Sequence, residues 1–179
     1  MYNRALELSN IKNTDTALDL YCGTGTITLL LAKRCKKAIG IEINKHAVKN
    51  AKHNAQLNSI KNAEFICEDA AIASKKIVES DQKIDVVCVD PPRKGLSNDA
   101  INTLQVLSPK KIIYISCNAA TLARDLAILC NKTHRENNKD TNTCSESLAC
   151  YSVEAIEAVD MFPRTYHVEA ICILNRRPK

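Results

Sequence analysis

The sequence predicts a doubly wound α/β domain with a mostly parallel sheet and a C-terminal antiparallel hairpin. Strand-length apolar runs alternate with helix-length amphipathic segments as far as residue 130, a Gly-x-Gly turn (Gly23, Gly25) follows the first clear run, and strands succeed one another directly only after residue 150. Crossover helices must pack back onto a parallel sheet, so both of its faces are covered.

The first dozen residues read as the tail of a helix whose earlier part lies upstream. Residues 17–21 form the first strand, and a helix covers 26–35. A second strand at 38–42, a helix at 45–57, a third strand at 63–66 and a helix at 70–79 repeat the unit. The fourth strand, 84–90, is stopped by Pro91-Pro92, which continues neither element. A helix at 98–107, a fifth strand at 111–116 and a helix at 121–130 follow. Residues 131–150 are polar with few large apolar side chains and read as a flexible insertion. Beyond them, strands at 153–160 and 167–175 are joined through Met161-Phe162-Pro163-Arg164-Thr165.

A chain of 179 residues with 45% hydrophobic content supports one domain, 1–179, expected to be a monomer. No apolar run approaches the ~20 residues that span a bilayer. MYNRALELSN lacks the features of a secretory signal, so a cytoplasmic location is expected. Nine cysteines, an odd number, with several inside apolar runs and no CxxC pair, favour reduced thiols and no metal. The net charge of +5 is modest, and clusters such as Lys33, Arg34, Lys36 and Lys37 fit phosphate contacts or simply solvated faces.

Ligands of open α/β sheets bind outside the carboxyl ends of the strands. The first strand ends in DLYCGTGT, where Asp19 and Tyr21 precede Gly23 and Gly25, and the glycines let backbone approach a ligand. A similar turn also occurs where nothing binds. The third glycine of a dinucleotide fingerprint would fall at Thr28, so an adenosine without a diphosphate fits better. Glu42 ends the second strand, where a carboxylate can accept from both ribose hydroxyls. Asp69 stands at the height of an adenine but is equally placed to cap the following helix. This layout is usual for S-adenosylmethionine. Asp90 opens DPPRKG, whose prolines make a rigid turn over the crevice; its fourth residue is Arg93 rather than the aromatic residue of enzymes that methylate base amines.

Cys117 follows the fifth strand and precedes a helix, whose positive N-terminal end favours an anion. Cys22 and Cys67 also lie near strand ends, and most free cysteines are packing residues. Pattern decides: YISCNAATLARDL, DPPRKGL, DLYCGTGT and VDMFPRTYHVEA together resemble the RNA uracil-5-methyltransferase family, in order from about residue 17 to 177, with the ribosomal RNA branch nearest. The resemblance implies a Rossmann-like class I S-adenosylmethionine-dependent methyltransferase fold and an RNA partner, ribosomal before transfer RNA. It makes Cys117 the nucleophile and Glu169 the general base, and assigns Tyr21, Glu42 and Asp90 to the cofactor. Arg93 and His167 are candidates for contact with the uridine by location.

C5 of uracil is too weak a nucleophile to attack a methyl sulfonium directly. Thiolate addition at C6 produces an enolate that takes the methyl group at C5, and a base must then remove the C5 proton. Strand alternation places Glu169 on the face of Ile171 and Ile173, an odd site for a carboxylate unless it has work to do; otherwise it is a solvated charge on an edge strand. Two departures stand out: Ala119 replaces the family's usual proline after SCN, and the family's upstream Phe-x-Gln cofactor contact and RNA-binding segments are absent. Competing readings are a cofactor-binding fragment without independent activity and a nicotinamide-dependent oxidoreductase, the latter opposed by Thr28.

Overall fold

The computed structural model describes residues 1–80, 82–130 and 149–178. In chain order the elements are α1 (Tyr2–Ser9), β1 (Thr16–Asp19), α2 (Thr26–Ala32), β2 (Lys37–Glu42), α3 (Lys45–Leu57), β3 (Ala63–Cys67), α4 (Ala70–Glu79), β4 (Val86–Val89), α5 (Asn98–Leu107), β5 (Lys111–Ser116), α6 (Ala119–Cys130), β6 (Tyr151–Val159) and β7 (Glu169–Arg176). One seven-stranded sheet runs β3-β2-β1-β4-β5-β7-β6, parallel from β3 to β5, with β7 antiparallel to both β5 and β6. The C-terminal hairpin therefore folds inward: its second strand enters the sheet and its first forms the edge.

Alternation along the strands builds two cores. Leu18, Ile39, Val87, Ile112, Tyr114, Cys172 and Leu174 face one layer, which Ala73, Ile77, Ile101, Leu104, Leu122 and Leu129 complete from α4, α5 and α6. Ala17, Ala38, Val86, Ile113, Ile115, Ile171 and Ile173 face the other, where Ala5 and Leu6 of α1 pack beside Ile27 and Leu31 of α2. Both faces are buried, which is why the central strands read as continuous apolar runs.

The expected elements appear with shifted ends. α2 stops at Ala32, before the polar Lys33-Arg34, and α6 starts two residues early because the Asn118 side chain accepts from the Ala120 amide. Residues 131–148 of the expected insertion lie outside the described residues. Its last two, Ala149 and Cys150, precede β6 outside any helix or strand and are buried, and the Cys150 thiol approaches the Cys130 carbonyl at 3.2 Å. Among the described residues all eight cysteines are unpaired, and no helix is long and apolar enough to cross a membrane.

The Pro91–Leu96 turn is anchored from beneath by Asp125 of α6, which is fully buried. Its carboxylate accepts from the Leu96 amide at 2.8 Å, the Tyr114 hydroxyl at 2.6 Å and the Arg124 side chain at 2.8 Å. Arg124 in turn donates to the carbonyls of Lys94 and Leu96. Asp125→Ala would leave a buried amide and hydroxyl without acceptors, and a destabilisation of about 3–5 kcal/mol is expected in urea denaturation. A loss below about 1 kcal/mol would show that the turn is held by other contacts.

Candidate active site

At the carboxyl ends of β1, β2 and β3, Tyr21, Glu42, Ile43, Asp69, Ser97 and Ala100 line a cleft of about 170 Å³. Glu42 organises it. One carboxylate oxygen accepts from the Gly23 amide at 3.1 Å and the other from the Asn44 amide at 2.8 Å, tying the glycine turn to the β2–α3 connection. Each oxygen keeps a lone pair for a ribose hydroxyl. Gly25 has φ 89°, and an added Cβ would lie 3.0 Å from both the Ala51 Cβ and the Phe65 ring, so no larger residue fits the turn. Asp69 caps α4, accepting from the Ala71 and Ile72 amides through one oxygen, and it also lines the cleft; the two roles proposed for it are compatible.

Asp19 behaves differently from the other predicted cofactor residues. It is completely buried, with one oxygen accepting from the Thr28 hydroxyl at 2.7 Å and the other left without a hydrogen-bond partner. Thr28, which stands where a dinucleotide fold has its third glycine, thus spends its hydroxyl on Asp19. Burial, opposed mainly by the Thr28 hydrogen bond, pushes the Asp19 carboxyl up to about 7. It ties the end of β1 to α2 and is not among the residues that line the cleft. A carboxylate at the ribose position with lone pairs to spare and a glycine turn open to close approach together fit an adenosine derivative.

The predicted nucleophile and base lie at the β5–β7 pair. That ladder ends at Ser116–Ala170, which Cys117 follows in the chain and Glu169 precedes, so both stand at the same end of the paired strands. Glu169 is 9% exposed, and Cys117 is half-buried. Burial raises the Glu169 carboxyl above its ordinary value, the nearby Asp90 charge adds to this, and His167 opposes it. Asp90 is itself raised by burial and accepts a 3.2 Å hydrogen bond from the Tyr2 hydroxyl. Burial and Asp90 push that phenol up to about 12, so it remains a donor. The other strand-end thiols stand apart. Burial, then Asp19 and Glu42, push Cys22 up to about 12, while Cys67 pairs with Glu42 at the far edge of the sheet.

The turn after β4 is stitched to the turn that follows Cys117, since the Arg93 carbonyl accepts from both the Asn118 amide group and the Thr121 hydroxyl at 3.2 Å. The Arg93 guanidinium lies 3.0 Å from Nδ1 of His167. The structure thus groups Tyr21, Glu42 and Asp69 in one cleft, Cys117, Glu169 and Asp90 in a second corner, and Arg93 with His167 at its rim. Sequence reasoning missed two contributors. Ile43, 70% exposed in the cleft wall, was legible as a large apolar residue just past Glu42. Tyr2 carried no signal, because 88 residues separate it from Asp90.

An open α/β sheet of this order, with a cleft at the carboxyl ends of its first strands and a C-terminal antiparallel pair, defines the class I S-adenosylmethionine-dependent methyltransferase fold. A family model described as tRNA (Uracil-5-)-methyltransferase matches residues 1–177, and the chain belongs to that family. It is 40% identical over 175 residues to an uncharacterized RNA methyltransferase of Clostridium tetani, covering 98% of this chain and 34% of that protein. It is 38% identical over 179 residues to one of Bacillus cereus, covering 100% and 35%. The chain therefore spans about a third of the length of these relatives. Among solved structures, the Pyrococcus abyssi tRNA (uracil-54, C5)-methyltransferase in complex with S-adenosyl-L-homocysteine superposes with a TM-score of 0.71 at 31% identity, over 96% of this chain and 37% of that one. A Streptococcus thermophilus rRNA methylase, at 11% identity and a TM-score of 0.69 over 99% of this chain and 94% of that one, shares the fold.

Asp19 carries a stability signature. In the unfolded chain it ionises near 3.8, but in the folded chain only near 7. Its contribution to stability is complete below the lower value and is lost as pH rises through the upper one. Measured calorimetrically, the melting temperature of the parent relative to Asp19→Asn should fall steadily between about pH 4 and 7. A difference independent of pH would overturn this account of the buried carboxyl.

Proposed function

We propose that the chain methylates C5 of a uridine in RNA, with S-adenosylmethionine as donor, through a covalent adduct between Cys117 and C6. The observation that supports this reading is the β5–β7 register, which brings Cys117, just past the last β5 pair, and Glu169, at the start of β7, to one end of the ladder, with Asp90 close enough to raise Glu169. The Cys117 sulfur adds to C6, and the C5–C6 electron pair becomes an enolate. Bound in the cleft of Glu42, Tyr21 and Asp69, the cofactor supplies an electrophilic methyl group, which C5 takes. Glu169 then removes the C5 proton, the C5–C6 double bond re-forms, and sulfur leaves as thiolate. The raised carboxyl of Glu169 suits this step, since a base of higher pKa holds the proton more firmly.

A stacked uridine hides C6, so the base must be unpaired or flipped into the corner rimmed by Arg93 and His167. The motif resemblance favours ribosomal RNA, whereas the transfer RNA activity named for the Pyrococcus abyssi relative favours tRNA as the second substrate to assay. The same reading places the enzyme in the cytoplasm, acting as a monomer.

With 5-fluorouridine RNA there is no C5 proton to remove, so a covalent protein–RNA complex should persist on denaturing gels, and Cys117→Ala should abolish it. Glu169→Gln should accumulate adduct on ordinary RNA, with turnover reduced about 10²–10⁴-fold. Adduct formation by Cys117→Ala would overturn the mechanism, and failure of the parent to form one would leave the chain as a cofactor-binding fragment. Turnover should also decline as pH falls through the raised Glu169 value, because the base becomes protonated. Asp90→Asn removes the neighbouring like charge, lowers that value, and should move the acid limb of the pH–rate profile to lower pH at saturating cofactor. A shift upward, or none, would exclude Asp90 as the cause.

A further inference from the structure

The connection between β6 and β7 turns its large apolar side chains outward. Met161, Phe162 and Tyr166 are 47%, 50% and 88% exposed, so the tyrosine ring contributes almost nothing to the core. The backbone beneath them is nevertheless constrained. The Thr165 hydroxyl donates to the Phe162 carbonyl at 2.8 Å and accepts from the His167 amide at 3.2 Å, the Phe162 amide donates to the Asp160 side chain, and Arg164 holds a left-handed φ of 71°. A braced turn that presents bare rings is built for a partner.

The rings form a tier. The Tyr166 centroid is 4.1 Å from that of His167 at a tilt of 46°, Phe162 meets His167 edge-on at 6.4 Å, and the Arg93 guanidinium bonds the same imidazole. The Arg93 guanidinium on His167 brings positive charge to the tier, and Arg164 stands two residues before Tyr166 in the same turn. Tyr166 stands three positions before Glu169, at most about 11 Å along an extended chain. Exposed aromatic faces with a guanidinium beside them match unpaired nucleotides, whose bases stack while their phosphates meet positive charge.

We infer that Tyr166, supported by His167 and Phe162, is a stacking platform for a base flanking the target uridine in unpaired RNA. This rests on the RNA-methylating reading and adds to it a place for the neighbouring nucleotide. The platform grips RNA through the flanking base, so the Cys117 corner need not supply all of the affinity.

The test is a thermodynamic cycle on the full chain with S-adenosylhomocysteine present. Two single-stranded RNA 9-mers are compared by fluorescence anisotropy, one with a central uridine flanked by adenosines and one with abasic sites at both flanks. The parent should bind the abasic RNA about ten- to hundredfold more weakly. Tyr166→Ala should lose a similar factor on the adenosine-flanked RNA, respond little to the abasic change, and keep the parent's melting temperature and S-adenosylhomocysteine affinity; Tyr166→Phe should behave as the parent. Equal abasic penalties in parent and Tyr166→Ala would overturn the platform while leaving 5-fluorouridine adduct formation, and with it the proposed function, intact. Self-association that depends on Tyr166 with no RNA effect would overturn it in favour of protein docking. A parent chain that neither binds RNA nor forms the adduct would remove both readings together.

Discussion

The pairing of β7 against β5 is the constraint on which the candidate chemistry depends. The parallel strands all deliver their carboxyl ends to one edge of the sheet, where Asp19, Glu42 and Asp90 fall at or just beyond strand ends. An antiparallel neighbour delivers its amino end to that same edge. Glu169 begins β7, and so a residue 52 positions after Cys117 arrives at the edge where β5 ends, carried there by a strand of the sheet. Rigid elements hold reacting groups more precisely than loops do.

Around that pairing, the site has two halves that share a wall. The cleft of Tyr21, Glu42 and Asp69 belongs to the glycine turn and the first three strands. The corner of Cys117 and Glu169 belongs to β5 and β7. Asp90 connects them electrostatically, since its charge raises both Asp19 and Glu169. Three carboxyl groups of raised pKa in one region are unfavourable for an isolated fold. They are suited to a ligand that brings positive charge and to a reaction that needs a proton acceptor. The Asp125 network beneath residues 91–96 keeps this arrangement rigid, joining the Asp90 turn to the helix that starts just after Cys117.

Helix α1 is part of the same machinery. It packs against β5 and β7, places the Tyr2 hydroxyl on Asp90, and reaches the edge strand through paired hydrogen bonds from Arg4 to Glu157. A short helix at the start of the chain thus touches the candidate site and braces the hairpin that carries Glu169.

The alternation of strands and helices, the glycine turn, the thiol after β5 and the direct succession of two C-terminal strands were legible in the sequence, because each is a local pattern of period, turn chemistry or motif. α3, α4, α5 and β5 fell on the residues that their periodicity marks. Asp69 was legible as both cap and ligand candidate, and it caps while lining the cleft. Burial was not legible at Asp19, whose place at a strand end suggested a cofactor contact although its carboxyl is enclosed against Thr28. Nor was the order of the hairpin, since the apolar patterns of β6 and β7 do not say which one enters the sheet. The sequence by itself determined the elements and the chemical groups they carry. Only the tertiary structure decided that β7 lies beside β5 and that Tyr2 meets Asp90, because contacts between distant segments depend on which faces bury one another, and no local period encodes that choice.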